Sequence, residues 1–164
     1  MSNRVIDWLE SQQDNMLDLL GELVNIDSNS FDKAGVDRVA NRLAEFFYAH
    51  SIPHETIPIT THGDAMRAVV AGGNGNRPIL LCGHRDTVFP TGEVEKRPFR
   101  IENGRAYGPG VADMKPGLVI NAFILAAFQK FGGHPNPLVG LFTGDEEIGS
   151  PTSQDVIIAE AKKA

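Results

Sequence analysis

An α/β fold, with a mostly parallel or mixed sheet between helices on both faces, follows from three features of this 164-residue sequence. Apolar residues recur at three- and four-residue steps in two amino-terminal segments, as they do on the buried face of a helix. Two later segments, Pro78 to Cys82 and Leu138 to Thr143, are continuous apolar runs that suit strands covered on both sides. Helical and strand-like segments alternate through the second half, with no internal repeat and no linker long enough to separate domains.

The first helix is expected over Val5 to Ile26, where Trp8, Leu9, Met16, Leu19, Leu20, Leu23 and Val24 form the stripe and Asp27-Ser28-Asn29-Ser30 ends it. A second runs from about Gly35 to His50, with Val36, Val39, Ala40, Leu43, Phe46 and Phe47 on one face. Strands follow near Glu55 to Ile59, Arg67 to Val70 and Pro78 to Cys82, with the turn-forming run Gly72 to Asn76 between the second and third. Val94 to Ala106 reads as an extended excursion that turns at Glu102-Asn103-Gly104. Gly108-Pro109-Gly110 leads into a helix from about Pro116 to Phe131, where a first-turn proline lacks only an N–H that the helix would not use. Gly132-Gly133 closes it, the strand Leu138 to Thr143 follows, and a last helix spans Gln154 to Lys162.

Composition narrows the function. Fifteen basic residues against 21 acidic give a net charge of −6, and no basic stripe with interleaved aromatics is present to track a phosphate backbone, so nucleic acid is not expected as a partner. Cys82, the single cysteine, rules out an internal disulfide and reads as a small buried hydrophobe within its apolar run. Met1 to Trp8 is too polar for a signal peptide, and the longest mostly apolar stretch, Leu118 to Phe128, is too short to cross a bilayer. A soluble, cytoplasmic chain without a membrane partner is therefore expected.

The chemistry gathers where strands end. His84 and Asp86 follow one apolar strand, Glu146 and Glu147 follow another, and Asp113 lies in the Gly-rich loop that opens a helix. In open α/β sheets a ligand site lies beyond the carboxyl ends of the strands, so these residues converge on one rim. Four carboxylates brought together there without a cation would repel one another, and a metal is the economical answer. His84 then suits a nitrogen ligand, Asp86 the carboxylate that orients its ring, and Asp113 a bridge between two metals. Glu146 and Glu147, taken as consecutive on an extended strand end, would point to different sides, one as a ligand and one as a general base acting on water. His50, His54, His62 and His134 match no motif and read as surface or capping residues, and Ser28, Ser30 and Ser150 resemble no nucleophile arrangement.

The strings Gly83-His84-Arg85-Asp86-Thr87-Val88, Tyr107 to Lys115 and Thr143 to Ser150 resemble successive motifs of one zinc metallopeptidase family. That family contains glutamate carboxypeptidase, acetylornithine deacetylase and succinyl-diaminopimelate desuccinylase. The Tyr107 to Asp113 stretch leans toward the glutamate carboxypeptidase branch, and Leu23 to Ser28 fits the family's opening segment. The resemblance implies two Zn2+ ions, replaceable by other divalent metals such as Co2+. It further implies that His84 binds one ion, Asp113 bridges both, Glu147 binds the other, Glu146 is the general base and Asp86 supports His84. A cis peptide bond after Asp113 is implied as well. The expected substrate is a small peptide or acyl amino acid, with release of a C-terminal glutamate as one form of the reaction.

Two local departures are Arg85, where the family usually has an apolar residue, and Pro116 in place of a common Gly. A larger one is that residues 1–164 match only the amino-terminal portion of the family's catalytic domain. A further acidic ligand, a distant C-terminal His and the dimerising lid domain have no counterpart here. Each prospective zinc thus keeps two protein ligands, whereas a catalytic zinc normally has three. Two expectations follow: a metal-dependent peptidase or amidohydrolase whose 164-residue chain is inactive alone, or a non-catalytic remnant that binds metal weakly and self-associates through an unfinished sheet edge.

Overall fold

The computed structural model describes residues 2–75 and 77–164, so Asn76, the last residue of the expected turn, lies outside the described residues. The long first helix divides into α1 (Ser2–Glu10) and α2 (Gln13–Val24). Ser11 Oγ donates to the Trp8 carbonyl at 2.7 Å, and the Gln12 N–H closes onto Leu9 O at 3.0 Å. A hydroxyl bonding back to the preceding turn, together with a three-residue closure, bends the helical path between the two halves of the apolar stripe. Both helices pack on α5 (Lys115–Phe131), with Trp8 6.1 Å from the Phe123 ring. Helix α3 (Lys33–Ala49) starts at Asp32, whose carboxylate accepts the Gly35 N–H at 3.0 Å.

One sheet runs in the order β1 (His54–Ile57), β2 (Ala65–Val70), β6 (Leu138–Thr143), β3 (Ile79–His84). It is mixed: β1 with β2 and β2 with β6 are antiparallel, and β3 with β6 is parallel. Met66, Ala68 and Val70 of β2 and Leu138 and Phe142 of β6 enter the main core with α2, α3 and α5. On the opposite face α6 (Gln154–Ala161) meets the sheet, where Glu160 pairs with Arg67 at 3.1 Å. The excursion resolves into a short helix α4 (Glu93–Lys96) and a hairpin of β4 (Arg100–Glu102) and β5 (Arg105–Tyr107). Its two turn residues, Asn103 and Gly104, both have positive φ, as the tight hairpin turn that suits an Asn-Gly pair requires.

The two apolar runs have different fates. All six residues of the central β6 are buried, as a strand covered on both faces should be. β3 instead forms an edge, Ile79 is 41% exposed, and Cys82 is exposed rather than buried. Cys82 projects to the face that carries only the eight-residue α6, too short to cover the outermost strand. Among the described residues no helix is long and apolar enough to cross a membrane. Because β3 and β6 are parallel neighbours, His84 and Thr143 stand side by side at their carboxyl ends, and the chemistry sits beyond them.

Candidate metal centre

His84 ends β3 and is 5% exposed. Its Nδ1 lies 3.1 Å from the Asp86 carbonyl oxygen and 3.3 Å from Asp86 Oδ1. A carbonyl only accepts, so Nδ1 carries the hydrogen, and the other nitrogen of the neutral ring presents a lone pair. That Nε2 faces Asp113 Oδ1 at 3.1 Å and Glu146 Oε2 at 3.5 Å. Burial by itself would lower the pKa of His84, but the hydrogen bond to Asp86, its charge and that of Glu146 outweigh it and raise it to about 9. The ring is held where a positive charge is favoured, by a proton or by a metal.

Asp113 is exposed and precedes α5, at the end of a loop that doubles back on itself. The Lys115 N–H bonds the Gly110 carbonyl at 3.0 Å, and a Cβ on Gly110, whose φ is +73°, would lie 2.8 Å from Thr87 Cγ2. Only glycine lets the loop pack this close to the strand end that carries His84 and Asp86. The Asp113–Met114 peptide bond is cis.

Glu146 and Glu147 depart from the expected extended geometry, because they lie in a 3-10 turn spanning Glu146–Ile148. Two buried carboxylates curl the chain there. Asp86 accepts the Glu146 N–H at 3.2 Å on Oδ1 and the Glu147 N–H at 3.1 Å on Oδ2. Asp145 accepts from Thr152 N and Thr152 Oγ1, both at 2.7 Å, and from Ser153 N at 3.0 Å, tying the turn to α6. One ligand atom each from His84, Asp113 and Glu147 lie within 4.8 Å of one another. Burial raises the pKa of Glu147, and the charges of Asp113, Asp86 and Glu146 add to the rise against the pull of His84. A nitrogen and two carboxylates at this spacing are a donor set that fits a divalent cation such as zinc, and a cation would relieve that repulsion.

All five sequence-derived site residues, His84, Asp86, Asp113, Glu146 and Glu147, thus meet at one rim. Asp86 is fully buried and acts as the hub. Its burial alone would raise its pKa, yet His84, the Ser30 hydroxyl and the two glutamate N–H groups lower it. Ser30, which no local motif marks, donates to Asp86 Oδ2 at 2.7 Å from 56 residues away. Also unmarked is the role of Arg85, 0% exposed between two site residues. Its guanidinium donates to Val36 O at 3.2 Å and to Asp64 O, and its charge is offset by Asp37, Asp64 and Asp86. The remaining histidines are local: His50 Nδ1 bonds Phe46 O at 2.9 Å, His54 Nδ1 bonds Ile52 O at 3.0 Å, and His134 accepts the Asn136 N–H at 3.0 Å. His62 Nδ1 lies 3.2 Å from the Thr152 hydroxyl.

Comparison with known proteins agrees with this geometry. The chain is 33% identical over 160 residues to carboxypeptidase G2 of Pseudomonas sp. strain RS-16, covering 93% of this chain and 37% of that protein. It is 36% identical over 141 residues to succinyl-diaminopimelate desuccinylase of Thioalkalivibrio sulfidiphilus, covering 80% and 35%. Among solved structures, human carnosine dipeptidase 1 superposes with a TM-score of 0.81 at 17% identity, covering 98% of this chain and 38% of that one. An M20 family metallo-carboxypeptidase from Sulfolobus solfataricus superposes at 0.74 with 25% identity, covering 90% and 35%. The chain therefore spans little more than a third of the length of the proteins it matches. Residues 80–164, which include His84, Asp86, Asp113, Glu146 and Glu147, match the model of peptidase family M20/M25/M40, and the chain belongs to that family.

Proposed function

We propose that this chain is the amino-terminal portion of the catalytic domain of a metal-dependent hydrolase that cleaves a peptide or N-acyl amino acid bond, with glutamate as a released product. The observation that carries this reading is the cluster of His84, Asp113 and Glu147, whose ligand atoms lie within 4.8 Å of one another. The pairing of His84 Nδ1 with Asp86, which directs Nε2 toward Asp113 Oδ1, supports it. A pair of Zn2+ ions, or of other divalent ions such as Co2+, would be held by His84 on one side and Glu147 on the other, with Asp113 shared between them. Bound ions of this kind polarise a carbonyl and make water more acidic. Glu146 is the general base: its carboxylate, exposed and 3.5 Å from His84 Nε2, takes a proton from the attacking water and delivers it to the leaving amine. Asp86 holds the His84 ring and the Glu146–Glu147 backbone in register. The reading also carries the cytoplasmic placement expected from the sequence.

Each metal draws two ligands from residues 1–164, one fewer than a catalytic zinc normally has. That deficit, together with the open β3 edge, favours a second reading for the chain by itself, a weakly metal-binding and non-catalytic piece that self-associates. Zinc titration of the purified 164-residue chain, followed by assay against N-acyl glutamate, tests the metal reading and the ligand deficit. Weak zinc binding with little turnover is expected. An absence of zinc binding would overturn the metal reading, and robust zinc-dependent turnover would overturn the two-ligand deficit.

A further inference from the structure

Residues Asn25 to Ser30 cover, in sequence, the last two residues of the expected first helix and the polar run Asp27 to Ser30 that ends it. In the fold each of the six bonds a residue on or beside the loops of the metal centre. Asn25 Oδ1 accepts the Phe99 N–H at 2.8 Å, and Ile26 O accepts Lys115 Nζ at 2.8 Å. Asp27 accepts the Gly92 N–H at 2.7 Å and the Val94 N–H at 3.1 Å. Ser28 O accepts the Thr87 N–H at 2.8 Å, and Asn29 Nδ2 donates to Phe89 O at 3.0 Å. Ser30 Oγ ends the series on Asp86 Oδ2 at 2.7 Å. The segment grips the chain just after Asp86 and, through the buried Lys115, the residue two beyond Asp113.

The last bond reaches the metal centre through a single residue. Asp86 divides its carboxylate between His84 Nδ1 and the Glu146 N–H on one oxygen, and the Glu147 N–H and Ser30 Oγ on the other. Removing the hydroxyl leaves Oδ2 with one donor in a fully buried site, which loosens the carboxylate whose Oδ1 lies against the His84 ring. Groups that orient metal-binding histidines typically change metal affinity 10- to 100-fold when removed.

We propose that Ser30 is a positioning residue of the metal centre: its hydroxyl fixes the Asp86 carboxylate, and through it the metal-facing direction of His84 Nε2. The proposal rests on the reading that His84, Asp113 and Glu147 bind a divalent ion, and it goes beyond that reading by assigning a role outside the motifs at the strand ends.

Co2+ titration of the metal-free chain, followed by visible absorption, tests it in four proteins: the parent, Ser30→Ala, Ser30→Thr and Ser30→Cys. Loss of the hydroxyl in Ser30→Ala is expected to weaken Co2+ binding about 10-fold and to shift the absorption band, with Ser30→Thr recovering both. Ser30→Cys is nearly isosteric but a far weaker donor, so it carries the same expectation should the alanine variant not fold. A folded alanine or cysteine variant with parental affinity and spectrum would overturn the proposal while the metal reading stands. A parent chain that binds no Co2+ would overturn both.

Discussion

His84 Nε2 and Asp113 Oδ1 lie 3.1 Å apart, although the two residues are separated by 29 positions and sit on different elements. His84 is nearly buried, whereas the Asp113 side chain is 76% exposed and makes no packing contribution that its loss would forfeit. Asp113→Ala is therefore expected to leave the thermal unfolding of the metal-free chain within about 0.5 kcal/mol of the parent. If Asp113 is the bridging ligand proposed above, the same change should lower zinc affinity at least about tenfold. Glu146→Gln, which on the proposed roles alters the base and not a ligand, should bind zinc as the parent does. Calorimetric titration of the two variants side by side checks the assignment, and equal losses in both would contradict it.

On the proposed ligand set, protonation of His84 competes with metal. With its pKa near 9, the metal-free chain carries a proton there at pH 7, which zinc must displace. Zinc affinity is expected to rise about tenfold per pH unit from pH 7 toward 9 and then level off. Titrations in buffers of different ionisation enthalpy should report close to one proton released at pH 7. A flat affinity over that range would contradict the prediction.

The same group sets a stability trend in the absence of metal. Its folded pKa, about 9, is raised above its ordinary 6.5, so its contribution is fully present below pH 6.5 and is lost as the pH rises through 9. The loss is bounded at about 3 kcal/mol, and urea unfolding of the metal-free chain at pH 6 and pH 9.5 measures it. Stability that increases over this interval would exclude the His84–Asp86 pairing as its source.

Arg85→Ala should be among the most damaging single changes. It removes a fully buried side chain that holds Val36 and Asp64 by their carbonyls, and it takes away the buried cation near Asp37, Asp64 and Asp86, the first two of which keep Lys33. A destabilisation of about 3–5 kcal/mol is expected for breaking a buried charge arrangement of this kind. Chemical denaturation of Arg85→Ala against the parent checks it, and a change under 1 kcal/mol would show that neither the carbonyl contacts nor the buried charge contributes much to stability.

The β3 edge predicts self-association. Bonds from Ile79 N to Pro137 O and from Arg85 N to Thr143 O turn the odd-numbered residues toward β6, so the amides of Leu80 and Cys82 face outward. Of these, the Cys82 carbonyl is occupied by Asn121 Nδ2 at 3.0 Å. The strand from Ile79 to Gly83 carries no charge and no proline, the two devices that usually protect an edge. Sedimentation of the 17.8 kDa chain should give a mass that grows with concentration, and Cys82→Lys, which puts a charge on an exposed position, should suppress it. A parent that stays monomeric throughout would refute the prediction.

Most elements could be read from local pattern, because a helix stripe or a continuous apolar strand records which neighbours a segment will have. The residues of the candidate metal centre were equally readable, since His84 with Asp86, Asp113 and the Glu146–Glu147 pair stand within short motifs. What local pattern missed were relations between distant segments. The stripe from Trp8 to Val24 read as one helix because periodicity takes no account of the Ser11 hydroxyl that bends the chain. Cys82 read as buried because an apolar run does not say whether its strand is central or at an edge, which strand order alone decides. The turn at Glu146 and Glu147 depends on Asp86, 60 and 61 residues earlier, and the Ser30 contact on a partner 56 residues later. Side-chain type and short-range spacing named the residues that gather at the candidate metal centre. The buried hydrogen bonds that hold them in place come from chain segments far apart in sequence, which meet only once the sheet and its helices have packed.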